Sequence, residues 1–435
     1  MLSTRDGGTL LGVLRAAVVA CALVATQSAG AQDISSIDNW LKFDSREGGA
    51  GWDQPFDRSF VQQWESQPQR GFPTLSRDNV GPMKAAIKRY ADIVANGGWE
   101  RLPNIELRVG SSEPAVAVLR RRLEAEGDLR PVGGDRQTFD YYVEKAVKRA
   151  QERHGIAPTG FVDKNTIAAL NIPASAKLRQ LRANLIRISS MSSATATGKY
   201  VVVNIPAAQI EAVQNNQVVS RHSGVVGKVD RQTPILQSSI HELNFNKEWI
   251  VPPTVLREDL VPKGRDLSGK GKNVLEQYGI DAYADYAAFR RGQKIDPRTI
   301  DFDSPRAMNL FYVQNPGEEN PLGFVKINFH NSHAVYMHDT PAKSIFARNF
   351  RAESSGCVRV QNIPQLAAWL LEEQGWTVQQ VLRMKQSGQR LDVALKKRVP
   401  LYFTYITAWA TPDNMVHFRR DFYRRDGVGL TASAY

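Results

Sequence analysis

The chain has 435 residues, with 56 lysines and arginines against 44 aspartates and glutamates, a formal net charge of +12 at pH 7, and two cysteines. An apolar share of 42% beside 23% charged residues excludes a disordered chain and a bundle of membrane spans, and two cysteines exclude a disulfide-stapled scaffold. The basic residues are scattered, with no stripe interleaved by aromatics, which argues against nucleic acid and leaves anionic envelope polymers and lipid surfaces as the partners such a charge suits.

Residues 1–31 have a polar start with Arg5, a second arginine at Arg15, an apolar run over 16–25 and the small-residue close Ala29-Gly30-Ala31. That order reads as a secretory signal peptide, cut before Gln32, and predicts export to a periplasm. The apolar run is about half of what a spanning helix needs, which disfavours a permanent anchor. A lipoprotein box at Val18-Val19-Ala20-Cys21 is the alternative, opposed by the very short apolar run before it.

Residues 32–106 begin turn-rich around Gly48, Gly49 and Gly51. They then carry a helix from Pro82 with Ile87, Tyr90, Ile93 and Val94 on one face, stopped by Gly97-Gly98. The tryptophans from Trp40 to Trp99 read as packing residues. Over 107–173 three helical patterns recur: 113–126 on Val116, Leu119 and Leu123; 139–154 on Val143, Val147 and Ala150; and 163–170, capped by Asp163. A basic helix over 177–188 and a linker over 189–198 follow.

From Lys199 the period changes. Strand patterns at 200–205, 209–213, 218–222 and 225–229 surround a hairpin turn at Asn215-Asn216. A polar insertion over about 263–321, rich in Gly, Asp, Arg and Tyr, comes next, and long insertions beside sites act as lids. Helices are expected at 364–373 and 378–387, ended by Gly375 and Gly388. Strands at 401–410 and 416–418, turning at Pro412-Asp413-Asn414, are expected to close the sheet.

Once the leader is removed, Cys357 is the one thiol left. It is a free thiol, a partner for another chain, a buried small hydrophobe or a nucleophile. Its setting favours the last, because Ser354, Ser355 and Gly356 form a turn while the run 334–337 looks like a strand delivering His338. A thiol at its ordinary pKa is mostly protonated at pH 7, so a nucleophilic cysteine needs a base or another acidifying feature beside it. His330, His333, His338 and Asp339 are dense enough to suggest a metal site as well. His333 and His338 are five apart, however, and a strand sends such residues to opposite faces.

His338-Asp339-Thr340 followed by Ser355-Gly356-Cys357-Val358-Arg359 resembles the signature of YkuD-type L,D-transpeptidases. Asp339 and Ser355 stand where most of that family has glycine and a second histidine. Tyr336 to Pro341 and Ser354 to Val360 in this respect resemble the YcbB branch almost residue for residue. His154-Gly155-Ile156-Ala157-Pro158-Thr159-Gly160-Phe161-Val162-Asp163, with Thr166 and Leu170, resembles peptidoglycan-binding domain 1, which leaves wall binding and simple spacing both open for that unit.

The resemblance implies a multidomain α+β protein: signal peptide 1–31, helical scaffold 32–106, three-helix peptidoglycan-binding-like module 107–173, helix and linker 174–198, β-rich catalytic domain 199–410 with its capping insertion, and a C-terminal segment 411–435. It implies Cys357 as nucleophile, His338 as general base and acid, the Asp339 carbonyl orienting His338, and the Gly356 and Ser355 main chain as oxyanion hole. Tyr336, Arg359, Trp249 and Asn362 are implied as substrate-binding residues. No cofactor or metal is implied. The implied activity is formation of diaminopimelate-diaminopimelate cross-links through a cysteine thioester, with peptidoglycan stems and glycan as partners and a peripheral place in the envelope. The rivals are an L,D-carboxypeptidase, a cysteine peptidase and a noncatalytic wall-binding protein.

Overall fold

The structure is a computed structural model that describes residues 71–131, 135–191 and 198–427. The signal-peptide reading, the start of the expected scaffold with Trp40, most of the 189–198 linker and the last residues of the C-terminal segment lie outside the described residues.

The region of period two folds as a barrel. Its first four strands are β1 (Lys199–Asn204), β2 (Gln209–Gln214), β3 (Gln217–Gly227) and β4 (Leu236–Phe245). Asn215 and Asn216 have φ of 51° and 62°, the turn that lets β2 and β3 pair with matching twist. The two patterns read at 218–222 and 225–229 are one strand, ending at Gly227, with Val229 outside it.

Two further strands, β5 (Trp249–Ile250) and β6 (Ile280–Tyr283), lie in the insertion with β7 (Lys294–Ile295) and β8 (Phe311–Gln314). Beyond it come β9 (Val325–Phe329), β10 (Met337–His338), β11 (Ala352–Ser354), β12 (Val358–Val360) and β13 (Leu391–Thr404). The main sheet runs β11-β3-β12-β10-β9-β4-β13-β1-β2, and β2 also pairs with β3, which closes it. Both faces of β1 are buried: Val201 and Val203 join Ile210, Ile240 and Phe245 inside, while Tyr200 and Val202 face the helices outside. That is why its sequence is continuously apolar.

Outside the barrel, α1 (Val80–Ala95) packs on α5 (Ala174–Met191), and between them in sequence lie α2 (Pro114–Glu126), α3 (Tyr141–Arg153) and α4 (Lys164–Leu170). Asp163 caps α4 by accepting from the Thr166 N–H. The C-terminal apolar run divides. Residues up to Thr404 pair with β1, whereas β14 (Ala408–Ala410) and β15 (Val416–Phe418) form a separate hairpin against α1 and α5. This corrects the expectation that both runs close the catalytic sheet. The chain is drawn off the barrel because Asn204 and Asn184 capture the N–H groups of Ile406 and Thr407 at 3.1 and 3.0 Å.

A buried charge cluster fastens the three-helix unit to the rest. Glu126 of α2 meets Arg122 at 2.8 Å, Arg153 of α3 at 2.9 Å and Lys177 of α5 at 2.9 Å, and accepts the Tyr90 hydroxyl of α1 at 2.6 Å. Arg153 also pairs with Asp128 and donates to the Val416 carbonyl of β15 at 2.9 Å. Desolvation alone would raise the Glu126 pKa, but the three cations hold it well below the ordinary carboxylate range. Removing one partner from such a cluster strands the others in apolar surroundings at a cost of about 3–5 kcal/mol.

The insertion is larger than its polar composition suggests. It leaves the barrel at Asn246 and returns at Phe324, whose carbonyl accepts the Asn246 N–H at 2.9 Å. It carries its own sheet, β5-β8-β6-β7, and a helical run from Pro253 that widens into a π turn over Leu256–Leu260 before Val261–Ser268. Pro262 has no N–H to continue an ordinary ladder, which accounts for the wide turn preceding it. Trp249, Val255, Leu260, Leu275, Tyr312 and Leu322 are among the residues of the insertion's own core.

His222 in β3 is buried between Ser220 Oγ (2.8 Å) and the Gln361 carbonyl (3.0 Å), and burial lowers its pKa to about 4. A base with a lowered folded pKa contributes stability that is complete above its unfolded value near 6.5 and is lost as pH falls from there towards 4. Urea denaturation at pH 7 and pH 5 is expected to show about 2 kcal/mol of acid destabilisation that His222→Gln removes from the pH difference.

Candidate active site

β10 has only two residues, but it lies inside the closed sheet, antiparallel to β9 and parallel to β12. Its register sets His338 between Lys326 on one side and Arg359 on the other. Met337 and Val358 point into the barrel core, so the alternate residues point out beneath the insertion. The Val358 N–H donates to the Tyr336 carbonyl at 3.0 Å, which aligns Cys357 with Tyr336 on the adjoining strand. Tyr336, His338, Cys357 and Arg359 therefore share one face of the sheet.

The His338 Nδ1 donates to the Asp339 carbonyl at 2.5 Å, which fixes the tautomer and leaves Nε2 with the lone pair. Burial lowers its pKa to about 3, helped by Arg359 and Lys326 and resisted by the Asp339 and Pro321 carbonyls. The imidazole is neutral at physiological pH. Burial pushes the Cys357 thiol up; the Tyr336 N–H and hydroxyl, both directed at the sulfur, and the charges of Lys326 and Arg359 pull it down. The resting pair is thus thiol and neutral imidazole, with the Tyr336 ring 5.5 Å from that of His338.

The turn before Cys357 is tightly bonded. Ser354 Oγ accepts the Gly356 N–H at 3.1 Å and donates to the Cys357 carbonyl at 2.6 Å. Gly356 has φ +112°, a conformation that side chains rarely permit. Thr233 Oγ1 accepts the Gly227 N–H and donates to the Gly356 carbonyl, both at 2.8 Å, while the Tyr423 hydroxyl accepts the Thr233 N–H at 3.0 Å. The Gly356 N–H, expected as an oxyanion donor, is held by Ser354 in this structure. Ser355 presents its hydroxyl to Arg231 Nη1 at 3.0 Å.

The remaining residues expected at the site divide between the insertion, the sheet and the far end of β12. Trp249 is buried in the core of the insertion and its indole bonds to the Tyr336 hydroxyl, so it reaches the site through that tyrosine. Arg359 is 5% exposed and flanks His338. Asn362 is exposed and opens the helix Ile363–Leu370, five residues beyond Cys357 along the outgoing chain. The Asp339 carboxylate is structural: it accepts the Phe324 N–H at 3.3 Å, pairs with Lys343 and packs where Gly323 has no Cβ. His330 stacks on His241 at 4.2 Å and His333 is exposed, so the histidines do not converge with His338, and no metal-binding group was found among the described residues.

Sequence reading missed Lys326, Thr233 and Arg231. Lys326 sits 4.4 Å over the Tyr336 ring. Arg231 joins Asp259, in the π turn of the insertion, to Ser355, with the carboxylate at 3.1 Å. Only its charge inside the apolar alternation of Val325–Phe329 signals Lys326 in the sequence.

Residues 198–384 match the family model of the L,D-transpeptidase catalytic domain (YkuD), and residues 112–170 match that of the "Putative peptidoglycan binding domain". Both domains are present in this chain. Strand β13, which closes the barrel between β4 and β1, lies beyond the first match. A "Putative L,D-transpeptidase" of Haemophilus influenzae is 30% identical over 226 residues, 52% of this chain and 44% of that protein. The chain spans less than half the length of that relative. Among solved structures, an L,D-transpeptidase of Xylanimonas cellulosilytica is 14% identical, over 70% of this chain and 98% of that one, with a TM-score of 0.22. One from Mycobacterium smegmatis is 11% identical, over 48% and 59%, with a TM-score of 0.23. Scores so low do not bear on function.

Arg231→Gln is expected to loosen the insertion: amide hydrogen exchange over 253–268 rises several-fold, while the β1–β2 hairpin keeps its protection. Unchanged exchange there would mean that Arg231 does not hold the insertion.

Proposed function

We propose that this protein is a periplasmic L,D-transpeptidase of the YcbB-like branch that joins diaminopimelate residues of neighbouring peptidoglycan stems. The observation that carries the reading is the convergence of Cys357, His338 and Tyr336 on one face of a domain matched to L,D-transpeptidases. His338 takes the thiol proton as the sulfur attacks the carbonyl between diaminopimelate and terminal D-alanine. The S–C bond forms, the amide C–N bond breaks, and the same proton passes to the departing D-alanine nitrogen. The side-chain amine of a second stem then attacks the thioester. Its proton goes to His338 and on to sulfur as the C–S bond breaks.

The developing oxyanion is met by the Tyr336 hydroxyl and the main chain at Ser355, with the insertion keeping water out. Arg359, beside His338, attracts the carboxylate of the stem. The three-helix module contributes contact with the glycan, held in a fixed orientation by the Glu126 cluster.

Mass spectrometry of tetrapeptide muropeptides incubated with the mature protein tests the reading. Loss of D-alanine with diaminopimelate-linked dimers, both absent with Cys357→Ala, is the expected result. Trimmed monomers alone would make the enzyme an L,D-carboxypeptidase. No change with folded wild-type protein would favour a noncatalytic wall-binding protein.

A further inference from the structure

Lys326 is an ammonium in a place where an ammonium is costly. Its strand alternates Val325, Ile327 and Phe329 into the barrel, which leaves Lys326 and Asn328 on the face beneath the insertion. Lys326 is only partly exposed, and desolvation lowers its pKa. A lysine in such a position normally leans on a carboxylate. Glu242 of β4 and Asp392 of β13 do lie within its electrostatic reach, but both are engaged elsewhere: Glu242 accepts from Asn244 and Asn328, and Asp392 from Asn244 and Lys247.

The Nζ instead stands 4.4 Å over the Tyr336 ring, whose hydroxyl bonds to Cys357 Sγ. On the register it is the lateral neighbour of His338. The charged and titratable groups facing it are His338 from β10 and Tyr336 just before it, Cys357 and Arg359 from the β12 side, Glu242 from β4, Lys247 after β4 and Asp392 from β13. A cation on the face of a phenol draws electron density from the ring and makes its hydroxyl a stronger donor, and the same charge favours an anion at the sulfur beyond it.

We propose that Lys326 is a positioning residue for the nucleophile: seated on the Tyr336 ring, it polarises the phenol hydroxyl that donates to Cys357 Sγ and so stabilises the thiolate as the thiol proton passes to His338. A neutral imidazole between two cations gains little by ion pairing, so the thiolate depends on Lys326 and Arg359 more than on an imidazolium. The inference deepens the acyl-transfer reading and gains its functional meaning from it, but thiol ionisation is measurable without any substrate.

The test is the rate of Cys357 carboxamidomethylation by iodoacetamide between pH 6 and 11, read by intact mass, for wild type, Lys326→Met, Lys326→Gln and Lys326→Arg. Thermal melts establish which neutral variant is folded. In a folded neutral variant the ionisation midpoint moves to higher pH and the rate at pH 8 falls about tenfold, on the order of one charge acting through several ångströms of part-buried protein. Lys326→Arg, which keeps a cation over the ring, stays near wild type. A neutral variant that melts like wild type and whose profile superposes on it overturns the proposal, as does an arginine variant that shifts as far as the neutral ones. The midpoint shift with no stem turnover by wild-type protein would leave this role standing and remove the transpeptidase reading instead.

Discussion

The site depends on the pairing of a two-residue strand. Met337 and His338 are held between β9 and β12, and the register Lys326–His338–Arg359 decides which side chains share a face. Because the side-chain period is two, a slip of one residue would turn His338 into the barrel core and bring Met337 under the insertion. The apolar partners Ile327, Met337 and Val358, all fully buried, resist that slip. Burial of the barrel and geometry of the catalytic face are thus one constraint.

The insertion touches this face through Trp249, Pro321 and Asp259. Trp249 reaches the Tyr336 hydroxyl, the Pro321 carbonyl borders the His338 ring, and Asp259 pairs with Arg231, which bonds to Ser355 in the turn before Cys357. Each contact involves a group that orients or supports the chemistry, so movement of the insertion would alter the site as well as its exposure. The two connections of the insertion are tied together: the Asn246 N–H donates to the Phe324 carbonyl, and the Asn246 side chain donates to the Met384 and Gln389 carbonyls at 2.8 Å. In the helical part of the molecule Glu126, Arg153 and Lys177 tie α2, α3 and α5 into one buried cluster. The cluster, with the Arg153 bond to the Val416 carbonyl, joins the three-helix module to α5 and β15.

Much of this was legible in the chain. The helices of the module and the hairpin turn at Asn215-Asn216 follow from periodicity and turn chemistry, both local properties. A lone thiol in a Ser-Gly turn and a histidine at a strand end are local patterns too, and the structure sets Cys357 and His338 on adjoining chain segments of one face. What escaped depends on register or on competition between distant groups. Lys326 meets Tyr336 only because β9 and β10 pair, and Arg231 finds Asp259 across the insertion. The Gly356 N–H looked available until the Ser354 hydroxyl, two residues back, was seen to take it. The insertion expected over about 263–321 is shorter than the one observed between Asn246 and Phe324, because its opening, Trp249 to Pro253, is as apolar as a barrel strand. The hairpin 408–418 looked like barrel because its composition cannot show that Asn184 and Asn204 pull the chain away.

The claim on which the account rests is that Cys357 itself takes the acyl group. The direct measurement is intact-protein mass spectrometry after brief incubation with a tetrapeptide stem and no acceptor, followed by peptide mapping. The account predicts an adduct of the stem minus D-alanine on the peptide that contains Cys357, discharged when an amine acceptor is added. Turnover with no adduct under rapid quench, or an adduct on another residue, would contradict it.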